Sequence, residues 1–171
     1  MAVFPIITLG HPNLRKVAAP VEKFDDDLKE LVHNMIETMR VHEGIGLAAT
    51  QVNIHKRFFV VDLELIDEKL SAQAYVNPEI LDSSGSGDFE EGCLSIPGVR
   101  AEVRRPTNIK VRYKNIEGET EEKEMDGLLA RVFQHELDHL NGILFIDRIP
   151  PLKRKLLKPK LLELEGVYTR H

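Results

Sequence analysis

Between positions 25 and 42, Leu28, Leu31, Val32, Met35, Ile36 and Met39 recur at three- and four-residue spacing. That period predicts an amphipathic helix with one apolar stripe. Asp25, Asp26 and Asp27 stand at its start, where carboxylates cap free amides and meet the positive end of the dipole. Gly44 follows its end as the expected left-handed stop. A second helix is expected from about Asp126 to Asn141, with Leu128, Leu129, Val132 and Phe133 on its apolar side and Gly142 closing it. A third is expected near Leu152 to Leu164, with Pro159 as an interruption. Between the first two helices the pattern changes. Phe58–Val61 is a short apolar run, Val99 to Arg105 is mixed, and Ile109, Val111 and Tyr113 alternate with polar residues. These segments predict strands, with a hairpin loop around Gly118 from Asn115 to Glu119. Asp82 to Asp88, with Gly85 and Gly87 among serines, is expected as an irregular loop. Helices flanking a strand-rich middle point to an α+β fold rather than an alternating one.

Composition narrows the class. A chain of 171 residues is one domain's worth, expected as a catalytic domain over 1–150 with a C-terminal helical extension over 151–171. There is one cysteine, Cys93, so an intrachain disulfide or a site needing several thiolates is excluded. The 23 basic and 28 acidic residues give a net charge of −5, which argues against general nucleic-acid affinity. The first 15 residues show no basic segment before an apolar run, and no stretch is apolar enough to span a bilayer. A reduced, cytoplasmic protein is expected.

His135-Glu136-Leu137-Asp138-His139 carries the clearest chemistry. Four residues along a helix turn through roughly 400°, so the two histidines emerge on nearly the same side, one turn apart. They suit one metal ion, and Glu136 suits a proton acceptor for water that the ion acidifies. The plain alternative is a solvated helix face with two ordinary histidines. A third ligand separates the two readings. One protease class places a histidine six residues beyond the second, but Phe145 stands there. Another uses a downstream glutamate, and Glu163 and Glu165 lie in a lysine-rich terminal segment. Cys93 remains, although lone cysteines are commonly inert packing. Its neighbours are unusual for a core strand, since Gly92 permits close approach and Pro97 stops regular pairing. Gly44-Ile45-Gly46-Leu47-Ala48-Ala49-Thr50-Gln51 superficially matches a dinucleotide fingerprint, but a helix precedes it and a strand follows, which reverses the required context.

Together, Gly44–Gln51, Glu91–Ser95 and Gln134–His139 resemble the three signatures of the bacterial peptide deformylases, in the family's order. His11 to Arg15 resembles the family's opening, so the likeness runs nearly the whole chain. The resemblance implies antiparallel sheets around a central helix that bears the HExxH histidines. It implies hydrolysis of the N-formyl group from the N-terminal formylmethionine of new polypeptides, releasing formate. The implied cofactor is one divalent metal, Fe²⁺ physiologically, with Zn²⁺, Ni²⁺ or Co²⁺ able to substitute. Cys93, His135 and His139 become the expected ligands, and Glu136 the expected proton shuttle. By the same pattern the Gln51 amide and the Leu94 backbone N–H meet the oxyanion. Gly46 lets substrate backbone approach, and Ile45, Leu128, Val132 and Phe89 are expected around the methionine side chain. Lys153, Arg154, Lys155, Lys158 and Lys160 form a basic cluster. It reads either as a solvated helix face or, by resemblance, as a dock for the ribosome near the exit tunnel. A monomer is the default. An HExxH metalloprotease and a non-catalytic metal-binding module are the competing functions.

Overall fold

The computed structural model of the chain describes residues 2–169, so positions 170 and 171 of the expected extension lie outside it. The first helix, α1, spans Asp26–Val41, and the Asp25 side chain accepts from the Leu28 N–H at 3.1 Å. Its C-terminal end corrects one expectation. The left-handed residue is Glu43, with φ of 58°, and not Gly44. The Gly44 N–H reaches Met39 O at 2.9 Å and the Glu43 N–H reaches Arg40 O at 3.1 Å, the paired bonds of a Schellman stop. Gly44 instead lets Leu94 approach closely: a Cβ there would lie 2.9 Å from Leu94 Cδ1, so that side chain would have to shift.

Strands β1 (Gly46–Ala48), β2 (Phe58–Val61), β3 (Gln73–Ser84), β6 (Asn108–Lys114) and β7 (Thr120–Met125) form one antiparallel sheet in the order β1-β2-β3-β6-β7. β4 (Gly87–Cys93) and β5 (Ile96–Arg105) form a separate two-stranded ribbon. The expected loop over 82–88 is therefore mostly strand. Asp82 to Ser84 pair with β6, and Gly87 and Asp88 pair with β5, so only Gly85 and Ser86 turn the chain. Serines and glycines obscured the pattern because this end of β3 is exposed and has no apolar face to display. The hairpin at Gly118 forms as expected.

Alternation distributes β2 between two cores. Phe58 and Val60 pack with Leu28, Val32, Met35 and Met39 of α1. Phe59 and Val61 pack with Ala130, Phe133, Leu137 and Leu140 of the second helix, α2 (Gly127–Leu140). The sheet thus lies between the two helices. The ribbon covers the other side of α2, and Val99, Ala101 and Val103 of β5 join Phe145, Ile149 and Leu161 in a third core. The last helix, α3, spans Pro151–Thr169 and continues through Pro159, where an interruption was expected. The carbonyl left without a donor belongs to an exposed stretch, where water can satisfy it, while buried Leu161 anchors the helix. Among the described residues no helix is long and apolar enough to cross a membrane.

Gly142 closes α2 with φ of 75°, and a Cβ there would meet Arg15 O at 2.2 Å. Both strain and overlap oppose a side chain. Gly142→Ala should therefore lower stability by about 2–3 kcal/mol, read as a lower urea midpoint; an unchanged midpoint would contradict this account.

Candidate active site

Side chains on a strand alternate, so Gly87, Phe89, Glu91 and Cys93 share one face of β4. That face meets α2. Cys93 Sγ lies 3.3 Å from His139 Nε2, and the Cys93, His135 and His139 donor atoms all lie within 4.8 Å of one another. The two imidazole rings are 5.1 Å apart, as one helical turn requires. His135 Nδ1 meets Glu91 Oε1 at 2.8 Å, which turns the opposite edge of the ring toward the sulfur. One thiolate and two imidazoles suit a divalent transition metal and leave a coordination position open. One buried atom beside the three donors is left for a further partner: Glu136 Oε1 has no hydrogen-bond partner among the described residues. Phe145, where one protease class needs its third ligand, is buried and stacks on His135 at 6.1 Å.

A cleft of about 520 Å³ opens beside the three donors. Glu136, Gln51, Cys93 and Leu94 line it. So do Ile45, Gly46, Phe89, Leu128 and Val132, so the structure brings every expected pocket residue to one cavity. His139 lies beneath it, 1% exposed. The Gln51 side chain is held at both ends. Its Oε1 accepts from the Ala48 N–H at 2.9 Å, and its Nε2 donates to Ser95 Oγ at 3.1 Å and toward Cys93 Sγ at 3.4 Å. The amide is thus aimed beside the metal donors. Leu94 sits in the two-residue turn joining β4 to β5. Pairing jumps there from Gly92–Arg100 to Cys93–Ile96, which loops out Pro97 to Val99. Gly46 has a steric reason of its own, because a Cβ there would meet Glu136 Oε2 at 2.7 Å. Burial pushes the Glu136 carboxyl up to about 7, into the range useful to an acid–base group near neutral pH.

This constellation has known counterparts. Residues 3–155 match the sequence model of the family described as polypeptide deformylase. The chain belongs to the polypeptide deformylase family. It is 50% identical to the peptide deformylase of Thermotoga maritima over 169 residues, covering 98% of this chain and 100% of that one. It is 47% identical to peptide deformylase 1 of Burkholderia multivorans over 166 residues, covering 96% and 91%. A crystal structure of the Plasmodium falciparum peptide deformylase superposes with a TM-score of 0.92 at 39% identity, covering 97% of this chain and 98% of that one. The antiparallel α+β fold expected from the three signatures is the fold of this deformylase chain.

What sequence reading missed is the ion network behind the metal donors. Glu91 receives Arg105 through two bonds of 2.7 and 3.0 Å, Arg131 at 2.9 Å, and His135. Arg105 also donates to Asp138 at 2.9 Å, and Asp138 receives Arg148 at 2.6 and 2.8 Å. Glu91 lay in the open, two residues before Cys93 and therefore on the same strand face. Arg105 gave no such signal, since only the ribbon's fold against α2 brings it to Glu91. Burial alone would raise the Glu91 pKa. The hydrogen bonds from His135 and Arg105 and the Arg105 charge outweigh it, holding Glu91 at about 2 instead of 4.5.

A carboxylate so depressed contributes stability that is complete above pH 4.5 and is lost as the pH falls toward 2. Glu91→Gln should cost about 3 kcal/mol near neutral pH, because Arg105 loses one of its two carboxylate partners and Arg131 loses its bond to the Glu91 carboxylate. Urea denaturation should show that deficit shrinking between about pH 5 and pH 2.5. A deficit constant across that window would rule out the linkage.

Proposed function

We propose that Cys93, His135 and His139 hold one divalent metal ion, and that Glu136 and Gln51 work beside it in a single deformylation site. Membership in the polypeptide deformylase family carries the activity: the enzyme is a hydrolase that removes the N-formyl group from new polypeptide chains, releasing formate. The observation that supports the site assignment is the convergence of the three donors with a buried, partnerless Glu136 oxygen at one cleft. When bound, a divalent metal supplies Lewis acidity, polarising the formyl oxygen and lowering the pKa of water. Fe²⁺ is the ion proposed for the cell, with Zn²⁺, Ni²⁺ and Co²⁺ as substitutes.

The residues divide the remaining work. Glu136, ionised, accepts a proton from the attacking water and returns it to the departing peptide amine. Glu136 is 4% exposed, so the exchange takes place in a site largely shielded from bulk water. The Gln51 Nε2 and the Leu94 N–H donate to the oxyanion that develops at the formyl carbon. Ala48 and Ser95 hold the Gln51 amide before substrate arrives, so reorganisation is small. Gly46 lines the cleft floor, and Ile45, Leu128, Val132 and Phe89 surround the methionine side chain. A protease reading has no support in Phe145, which packs on His135 and offers no donor.

Cytoplasmic location and a monomeric state accompany this reading. The ribosome is the proposed partner, through Lys153, Arg154, Lys155, Lys158 and Lys160. Lys153, Lys155, Lys158 and Lys160 are all exposed on α3. Replacing Lys153, Lys155 and Lys158 by Glu should weaken ribosome cosedimentation and flatten its salt dependence, with formyl-Met-Ala turnover kept. Unchanged cosedimentation would remove the ribosome from the account.

Glu136→Gln is the direct test of the chemistry. Purified without oxygen, the variant should bind metal at the wild-type stoichiometry, yet release formate from formyl-Met-Ala about 10²–10⁴ times more slowly. Near-normal turnover would remove Glu136 from the proton path.

A further inference from the structure

β4 and α2 meet as a ladder. Cys93 faces His139, Glu91 faces His135, and Phe89 faces Arg131, its ring centroid 5.7 Å from the guanidinium carbon. The next position out on each element is a glycine, Gly87 and Gly127. With no side chains there, a second cavity of about 360 Å³ remains, mostly apolar and bounded by Pro106 and Thr107 at its far side. Nothing in the reaction described above uses it. Phe89, Leu128 and Arg131 line both this cavity and the substrate cleft, so they are the wall between the two.

The members of that wall are held very differently. Arg131 is fixed by Glu91 at 2.9 Å, Val103 O at 2.7 Å and Gly87 O at 3.0 Å, across both strands of the ribbon. Phe89 is 53% exposed and rests its ring on that guanidinium. A cation–π contact at an exposed site is a weak restraint, so the ring is the loosely held part of a rigid frame.

We propose that Phe89, backed by Arg131, is a specificity-determining partition, and that the cavity behind it is a second binding site for linear apolar side chains longer than methionine. The inference rests on the proposed placement of the substrate's first side chain between Ile45, Leu128, Val132 and Phe89. With the ring in place, the side chain ends at the partition, and a longer chain must displace the ring or stay outside. With the ring removed, cleft and cavity join, and the added methylenes enter apolar space. Gly87 keeps that space open, since a Cβ there would lie 3.0 Å from Thr107 Cγ2.

The test compares kcat/KM for formyl-Met-Ala and formyl-2-aminodecanoyl-Ala. Wild type should favour methionine by at least about tenfold, the scale on which pocket fit discriminates methylenes. Phe89→Ala should raise the long-to-methionine ratio at least about tenfold, mainly through KM of the long substrate. Phe89→Leu, which keeps an apolar wall, should stay near the wild-type ratio. Turnover of formyl-Met-Ala by Phe89→Ala with the wild-type ratio would overturn the partition alone. Absence of formate from formyl-Met-Ala with wild-type enzyme would overturn the proposed site as well.

Discussion

One constraint organises the molecule: α2 is buried on nearly every side and yet carries polar residues through its last two turns. Gln134, His135, Glu136, Asp138 and His139 are all buried. An ordinary amphipathic helix would send such residues to water. Here each needs a partner inside the protein, because a buried polar group left unpaired costs about 1–3 kcal/mol and a charge costs more. The ribbon meets most of that demand. Glu91 takes His135, Arg105 bridges Glu91 to Asp138, and Arg148 closes the chain from the far side. Gln134 donates to Pro106 O and Ala130 O.

The sheet and the ribbon divide the contacts of α2 between them. The five-stranded sheet receives the apolar side of α2, Ala130, Phe133, Leu137 and Leu140, and needs no polar residues on that face. The ribbon receives the polar side and carries charged and sulfur-bearing residues on its inner face. Its irregularity serves the same end. Looping out Pro97 to Val99 lets Cys93 pair with Ile96 while the chain turns tightly at Leu94 and Ser95. That turn sets Ser95 Oγ within reach of Gln51 and Cys93 Sγ within reach of His139.

Two buried atoms on α2 escape the network, Glu136 Oε1 and His139 Nδ1. Glu136 is the residue whose carboxyl burial raises most plainly, while Glu91, one turn of contacts away, is held low by its cationic partners. Two neighbouring carboxyls are thereby shifted in opposite directions by their surroundings: Glu91 is held ionised against an imidazole by its cationic partners, while burial without such partners pushes Glu136 up.

The periodicity of α1, the alternation of β6, the apolar run of β2 and the HExxH spacing were legible because each encodes a local geometry. So were the family and the cysteine and two histidines that could hold a metal ion, since short motifs kept their residue types and order. The left-handed Glu43, the strand pairing on either side of the Gly85–Ser86 turn and the continuity of α3 through Pro159 were not, because exposed or capped backbone leaves little trace in apolar pattern. Nor could the sequence place Arg105 or Arg131 beside Glu91. Those contacts join residues 14 and 40 positions apart. The sequence determined which residue types stand at the three signatures and on which elements they ride. Tertiary structure alone decided which charges those groups keep, because protonation follows the burial and partners that only packing of the ribbon against α2 brings together.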